Sequence, residues 1–232
     1  LSVLPGPFTA DVAVALAARP SSHQKPGIDA DAVPDVLAFL AHRSLLTVAP
    51  SRTPTGRPRF RQLATVRSHA RRALVVAGES SHTEDARDSW VHALVAQRPR
   101  TFGVDQAGWY DTVDDTYDVV RATLQHLLVD DPKPLGVAIV GGLSGYWYLR
   151  GRLIEGLSWL EHAGRVPDAD PVDVANGQCS LAVRLVLQGR NDLALPHAER
   201  ALAGLTLDGP GSRLKDLAWA LAGLAYALLT GS

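Results

Sequence analysis

Methionine is absent from this chain, and of cysteine there is one, Cys179. A lone thiol excludes an internal disulfide and most structural zinc sites, and it fits a reducing cytoplasm. On its own it reads as a small buried hydrophobe. No apolar run approaches the roughly 20 residues a membrane span needs, so no membrane partner is expected. Also missing are a phosphate loop of the form G-x-x-x-x-G-K-[ST], an H-E-x-x-H pair and any Cys/His cluster at metal-ligand spacing. The sequence therefore points to no catalytic residue, no metal ligands and no cofactor held by this segment itself. Without a methionine, Leu1 is not expected to be a natural start, and the chain reads as a piece of a longer protein.

What is present suffices to fold. The 232 residues are 46% apolar, enough to bury the core of one large domain or two small ones. A net charge of −1 conceals segregation. Between Val36 and Gly78 stand eight arginines (43, 52, 57, 59, 61, 67, 71 and 72) and no acid, whereas Glu79 to Asp131 holds eleven acids against four arginines. Such asymmetry marks a polyanion-binding face, two segments facing one another, or a basic segment facing another domain.

The chain is organised around Gly145 to Ala163, which reads as two helices hinged at Gly151. Glycine has no Cβ, so it ends a helix in the left-handed conformation and lets the next fold back. Tyr146, Trp147 and Tyr148 precede the hinge; Leu153, Leu157 and Leu160 answer at helical spacing. Gly189 repeats the design 38 residues on, and at offsets +5, +9 and +12 Gly156, Leu160 and Ala163 correspond to Ala194, Ala198 and Ala201. A third start, Leu214 to Thr230, runs into Gly231 and is expected to lack its packing partner. The period suggests a helical solenoid, the other reading being two unrelated hairpins in an all-α domain.

Upstream, Thr9 is expected to cap a helix striped by Val12, Ala15 and Leu16 and ended by Pro20, followed by a polar loop over 19–33. Asp31 should cap a second helix through Val33, Val36, Leu37 and Leu40. Leu45 to Val48 reads as a strand, Pro50, Pro54, Gly56 and Pro58 as a stiff loop, and Arg59 to Leu63 as the returning strand. Thr65 should cap a third helix that Gly78 closes. That order fits a small winged-helix module. Thr83 should open a connecting helix packed through Trp90 and Leu94, and Asp105 a long one striped by Trp109, Val113, Val120, Leu124 and Leu127, broken at Pro132 and Pro134. The expected divisions are thus a winged-helix-like domain over 1–78, connecting helices over 79–131 and helical repeats over 132–232.

Three features invite chemistry. Gly136 to Gly145 superficially resembles a dinucleotide fingerprint but lacks a βαβ context, so close helix packing explains its glycines. Asp111, Asp114, Asp115 and Asp118 fall on the expected outer face of a helix, where solvation accounts for them. Arg52, Arg57, Arg59 and Arg61 form a basic face on the wing, suited to phosphates. Yet the second helix exposes Asp35, Ala38, Ala41 and His42, poor readers of base edges.

These segments, in order, resemble bacterial STAND-type regulators, the large signal-transduction ATPases of the LuxR and AfsR kind. Leu1-Ser2-Val3-Leu4-Pro5-Gly6-Pro7-Phe8 resembles the opening of their winged-helix region. Val36-Leu37-Ala38-Phe39-Leu40 and Arg43-Ser44-Leu45-Leu46 look like the helix entering their "KSLL" strand, and Arg59 to Arg67 looks like "R-[FY]-R-x-L-E-T-V-R". Trp109, Asp111, Asp118, Arg121, Ala122 and Leu124 match "W-x-x-x-L…D-N-L-R-A-A-L". Trp147 to Arg152 is very similar to "W-x-L-R-G-R", followed by "E-G-x-x-W-L-E". Where some relatives carry a nucleotide-touching Met-His-Asp, Gln62, Leu63 and Ala64 stand here, so no histidine sensor carries over.

The resemblance implies an upstream nucleotide-binding domain of the same chain holding ATP or ADP. It also implies further tetratricopeptide-like repeats downstream, a DNA-binding domain elsewhere, and a winged helix serving as a regulatory joint. The expected fold is mostly α: a small winged-helix module followed by antiparallel hairpins that begin a TPR-like α-solenoid. The expected function is regulatory and non-enzymatic in a cytoplasmic transcriptional regulator. A protein or small effector would bind the repeats, and Tyr148, Asn176 and Val183 are candidates for that face by helical phase. The alternative is a DNA-binding winged helix with an attached sensory helical domain.

Overall fold

The computed structural model describes residues 1–17, 28–51, 57–99, 104–205 and 212–230. It is mostly helical, as the sequence predicts, and its small antiparallel sheet has three strands, of which the first, at Phe8–Thr9, was not expected. Pro20, Arg52, Pro54, Gly56 and Gly231, each given a role above, lie outside the described residues. No helix among the described residues is long and apolar enough to cross a membrane. The chain divides into two compact units, Leu1–Thr123 and Leu124–Ser232.

The first unit opens with strand β1 (Phe8–Thr9), helix α1 (Ala10–Ala17), a 3-10 turn (Ala30–Ala32) and α2 (Val33–His42). Strands β2 (Leu46–Ala49) and β3 (Arg59–Gln62) follow, and β3 lies between its two partners in the order β1-β3-β2. Its register sets Phe8 opposite Phe60 and Val48 opposite the same residue. Phe8, Val12, Leu37 and Leu46 are buried as the sheet and both helices close over them, with the Phe8 and Phe60 rings 6.2 Å apart. Two expected caps shift. Asp29, not Asp31, caps the 3-10 turn by accepting from the Asp31 amide at 3.2 Å, and α2 then starts without a side-chain cap. The next helix, α3 (Ala64–Val76), starts before Thr65 and also lacks one, while Gly78 ends it with φ +70°.

Helix α4 (Ser80–Ala96) begins three residues ahead of Thr83, whose hydroxyl donates back to the Glu79 carbonyl at 2.8 Å. The single long helix expected from Asp105 is two, α5 (Val104–Asp115) and α6 (Tyr117–Gln125), parted at Thr116. Its stripe of Trp109, Val113, Val120, Leu124 and Leu127 is buried throughout. Up to Thr123 these helices belong to the first unit rather than forming a separate connector. Trp109 Nε1 donates to the Leu94 carbonyl at 2.8 Å, and buried Thr123 donates to Asp88 at 2.9 Å.

The second unit starts with a π turn (His126–Asp130) that Asp131 leaves, after which Pro134 opens α7 (Pro134–Leu149). Then come α8 (Leu153–Ala163), α9 (Pro171–Leu187), α10 (Asn191–Ala203) and α11 (Ser212–Thr230). Asp170 caps α9 by accepting from the Val172 amide at 2.8 Å, with Pro171 in the first turn. Both hinge glycines are left-handed, Gly151 at φ +68° and Gly189 at +72°. A side chain there costs about 1–2 kcal/mol in this conformation, which explains the residue choice. All six small or apolar residues at the matched offsets are buried: Gly156, Leu160 and Ala163 on α8, Ala194, Ala198 and Ala201 on α10.

Candidate functional site

The three described wing arginines do not form one basic face. Arg57 is exposed and its Nη1 donates to both carboxylate oxygens of Asp11 on α1, at 2.6 and 2.7 Å. Arg59 is a correction to the sequence reading, because it is buried. Its Nε and Nη2 donate to the Pro50 carbonyl at 3.2 and 3.1 Å, and Nε lies 3.8 Å from Asp115 Oδ1. Arg61 is exposed, and Arg52 lies outside the described residues. Asp115 is likewise a correction. It is buried at 6% exposure rather than solvated, and accepts from the Ser51 hydroxyl at 2.7 Å. A buried carboxylate needs partners that offset its lost hydration, and here they come from Ser51 and Arg59, far away in sequence.

Around the wing, the exposed surface of α2 and β2 is largely apolar. Phe39, Val36, Leu45 and Val48 are all exposed, and the Arg43 guanidinium lies 5.2 Å from the Phe39 ring centroid. Apolar side chains of this kind carry none of the donors and acceptors that discriminate base edges.

On the hairpins, the three residues chosen by helical phase occupy different surroundings. Tyr148 lies under the Arg184 guanidinium, 5.0 Å from its ring centroid, an attraction between cation and ring face. Asn176 stands near Gly141, where its side-chain nitrogen would be 3.8 Å from an added Cβ. Val183 packs onto the cluster of Ala175, Cys179, Ala198, Leu221 and Ala222. Arg184, which sequence reasoning passed over, is the polar residue that the structure brings to Tyr148. Its Nε is buried with no hydrogen-bond partner among the described residues. Nearby, buried Gln178 accepts from His197 Nδ1 at 2.6 Å, and burial holds the His197 imidazole below its ordinary pKa, helped by Arg200. Burial pushes the Cys179 thiol up to about 11.

The glycine-rich segment is helical from end to end, with Val137 to Val140 inside α7 and no strand beside it among the described residues. Gly136 serves close packing, whereas Gly141 has room for an ordinary contact. An added Cβ on Gly136 would come within 2.7 Å of Leu128, and one on Gly141 within 3.4 Å of the Asp173 carbonyl oxygen. The gap lined by Val140, Gly141, Leu160 and Gly177 measures about 10 Å³, room for a single water. Among the described residues no three of His, Cys, Asp and Glu gather as a metal-holding set. Comparison of the chain with protein-family models, with curated proteins and with solved structures found no match.

Proposed function

We propose that the chain is the regulatory and sensory segment of a STAND-type ATPase transcriptional regulator of the bacterial cytoplasm. In this reading the first unit contains a winged-helix joint and the second begins a series of tetratricopeptide-like repeats. The observation that carries it is the matched pair of hairpins. Two left-handed glycines 38 residues apart are followed by buried residues at identical offsets. The β1-β3-β2 antiparallel sheet with α1 and α2 against it agrees with a winged-helix order. The segment itself does no chemistry. A protein or small effector binds the repeats, and the joint relays that occupancy to a nucleotide-binding domain of the same protein holding ATP or ADP. Relay of this kind is a coupling free energy, so the effector must alter nucleotide affinity and the nucleotide must alter effector affinity equally.

The test is adenine-nucleotide binding by the whole natural protein, with and without Trp147→Ala, which loosens the first hairpin. Nucleotide bound by both, and released at different rates, supports the reading; a whole protein that binds no nucleotide sinks it. Duplex DNA binding with a steep salt slope carried by Arg57 and Arg61 would favour the DNA-binding alternative instead.

A further inference from the structure

The first unit contains a cleft of about 450 Å³ that the wing residues do not touch. Four arginines line it: Arg67, Arg71 and Arg72 from α3, and Arg87 from α4. Its remaining wall is Ser2, Val3, Pro5, Ser68 and Ala122. Helical spacing explains the convergence, since residues four apart lie on one face and the next is beside them.

The guanidiniums are held in different ways. Arg67 donates to the Pro5 carbonyl and Arg71 is paired with Glu84. Arg87 is the anchor. It is buried, and its Nε donates to Asp88 Oδ1 at 2.8 Å and to the Thr123 hydroxyl at 3.2 Å, while Nη1 donates to the Val3 carbonyl at 3.4 Å. Its Nη2 lies 2.8 Å from the same Asp88 oxygen, yet it finds no directed hydrogen bond among the described residues. Arg67 and Arg72 have no carboxylate partner among the described residues. Four cations against two acids leave the cleft positive.

We propose that this cleft is a binding site for a small anion bearing two or more phosphate groups and no nucleobase. Guanidinium forks match phosphate oxygens two at a time, and several of them around one cleft suit a multiply charged tetrahedral anion better than a single carboxylate. The lining has no aromatic side chain against which a base could stack. Ser2, Val3 and Pro5 wall one side of this bounded cleft. This site is independent of the regulatory reading above and stands or falls separately.

The test is isothermal titration of the chain with inorganic pyrophosphate. Arg72→Glu is the informative variant, because Arg72 is exposed and holds no partner among the described residues; Arg61→Glu, an exposed arginine outside the cleft, is the control. The expected result is saturable binding, weakened by about tenfold or more in Arg72→Glu and unchanged in Arg61→Glu, with identical far-ultraviolet circular dichroism in all three. Absence of saturable binding, or equal weakening in both variants, overturns the site. Tighter binding of ADP than of pyrophosphate overturns the base-free ligand class. Duplex DNA that binds through Arg72 while pyrophosphate fails to displace it overturns the compact ligand in favour of a nucleic-acid backbone.

Discussion

The hairpins α7–α8 and α9–α10 share a register but solve their packing differently. At one equivalent pair of positions the first hairpin has Trp147 and Gly156, and the second Leu185 and Ala194, all four buried. A Cβ added to Gly156 would stand 2.8 Å from the Trp147 ring, so the glycine exists to admit the indole. Where the large side chain shrinks to leucine, its small counterpart grows to alanine. Register is thus held by backbone geometry at Gly151 and Gly189, while side-chain volume is traded between neighbours.

The comparison can be broken most sharply at Trp147. Trp147→Ala should cost about 3–5 kcal/mol by emptying the space that Gly156 keeps open, measured as a shift in the urea midpoint. A loss below about 1 kcal/mol would mean that the site collapses freely and that the glycine is not there for the indole. Gly156→Ala comes next, at about 1–3 kcal/mol, because the ring cannot retreat within a buried site. Combining it with Trp147→Leu, which copies the second hairpin, should give less damage than the sum of the single changes. The expected coupling is about 0.5–3 kcal/mol, and strict additivity would refute the volume trade.

Smaller still, and equal in the two hairpins, should be Gly151→Ala and Gly189→Ala. Nothing lies within 4 Å of an added Cβ at either position, so only the left-handed backbone objects, at about 1–2 kcal/mol. Unequal costs would show that the hinges are not equivalent. The smallest effect separates the hairpins by pH. His197, which corresponds to Trp159 in the first, has its folded pKa depressed by burial. The unfolded chain therefore takes up the proton first, so this stability is full above about pH 6.5 and declines as pH falls through the folded value. His197→Gln should flatten that decline in a urea-midpoint series, and an unchanged slope would assign it to other groups.

Much of this was legible because it is local. A left-handed glycine, a run of residues at helical spacing and a strand of four all announce themselves within a few positions, as Gly151, Gly189 and the Trp109–Leu127 stripe do. The caps were misplaced, by two residues at Asp31 and by more at Thr83; Asp29 and Asp31 are equally able to end a loop, and only the 3-10 turn decides between them. Charge burial was not legible. Ser51 reaches Asp115 across 64 residues, and Arg87 meets Thr123 across 36, so neither pair leaves a mark in the composition of its own segment. Four wing arginines read as one face for the same reason: a run of like charge does not reveal which member turns inward. The arginine cleft escaped notice because Arg87 belongs to an acidic stretch, while its neighbours in space belong to a basic one.

The chain's solitary sulfur atom is sealed in the seam between α9 and α11, where its thiol faces the Leu214 carbonyl oxygen at 3.8 Å. Raised to about 11 by burial, it stays almost wholly uncharged at neutral pH while the seam is closed. Disulfide-exchange dyes added to the folded chain will therefore register how often that seam breathes, with no second thiol to blur the count. The protein comes with its own stopwatch for the last helix.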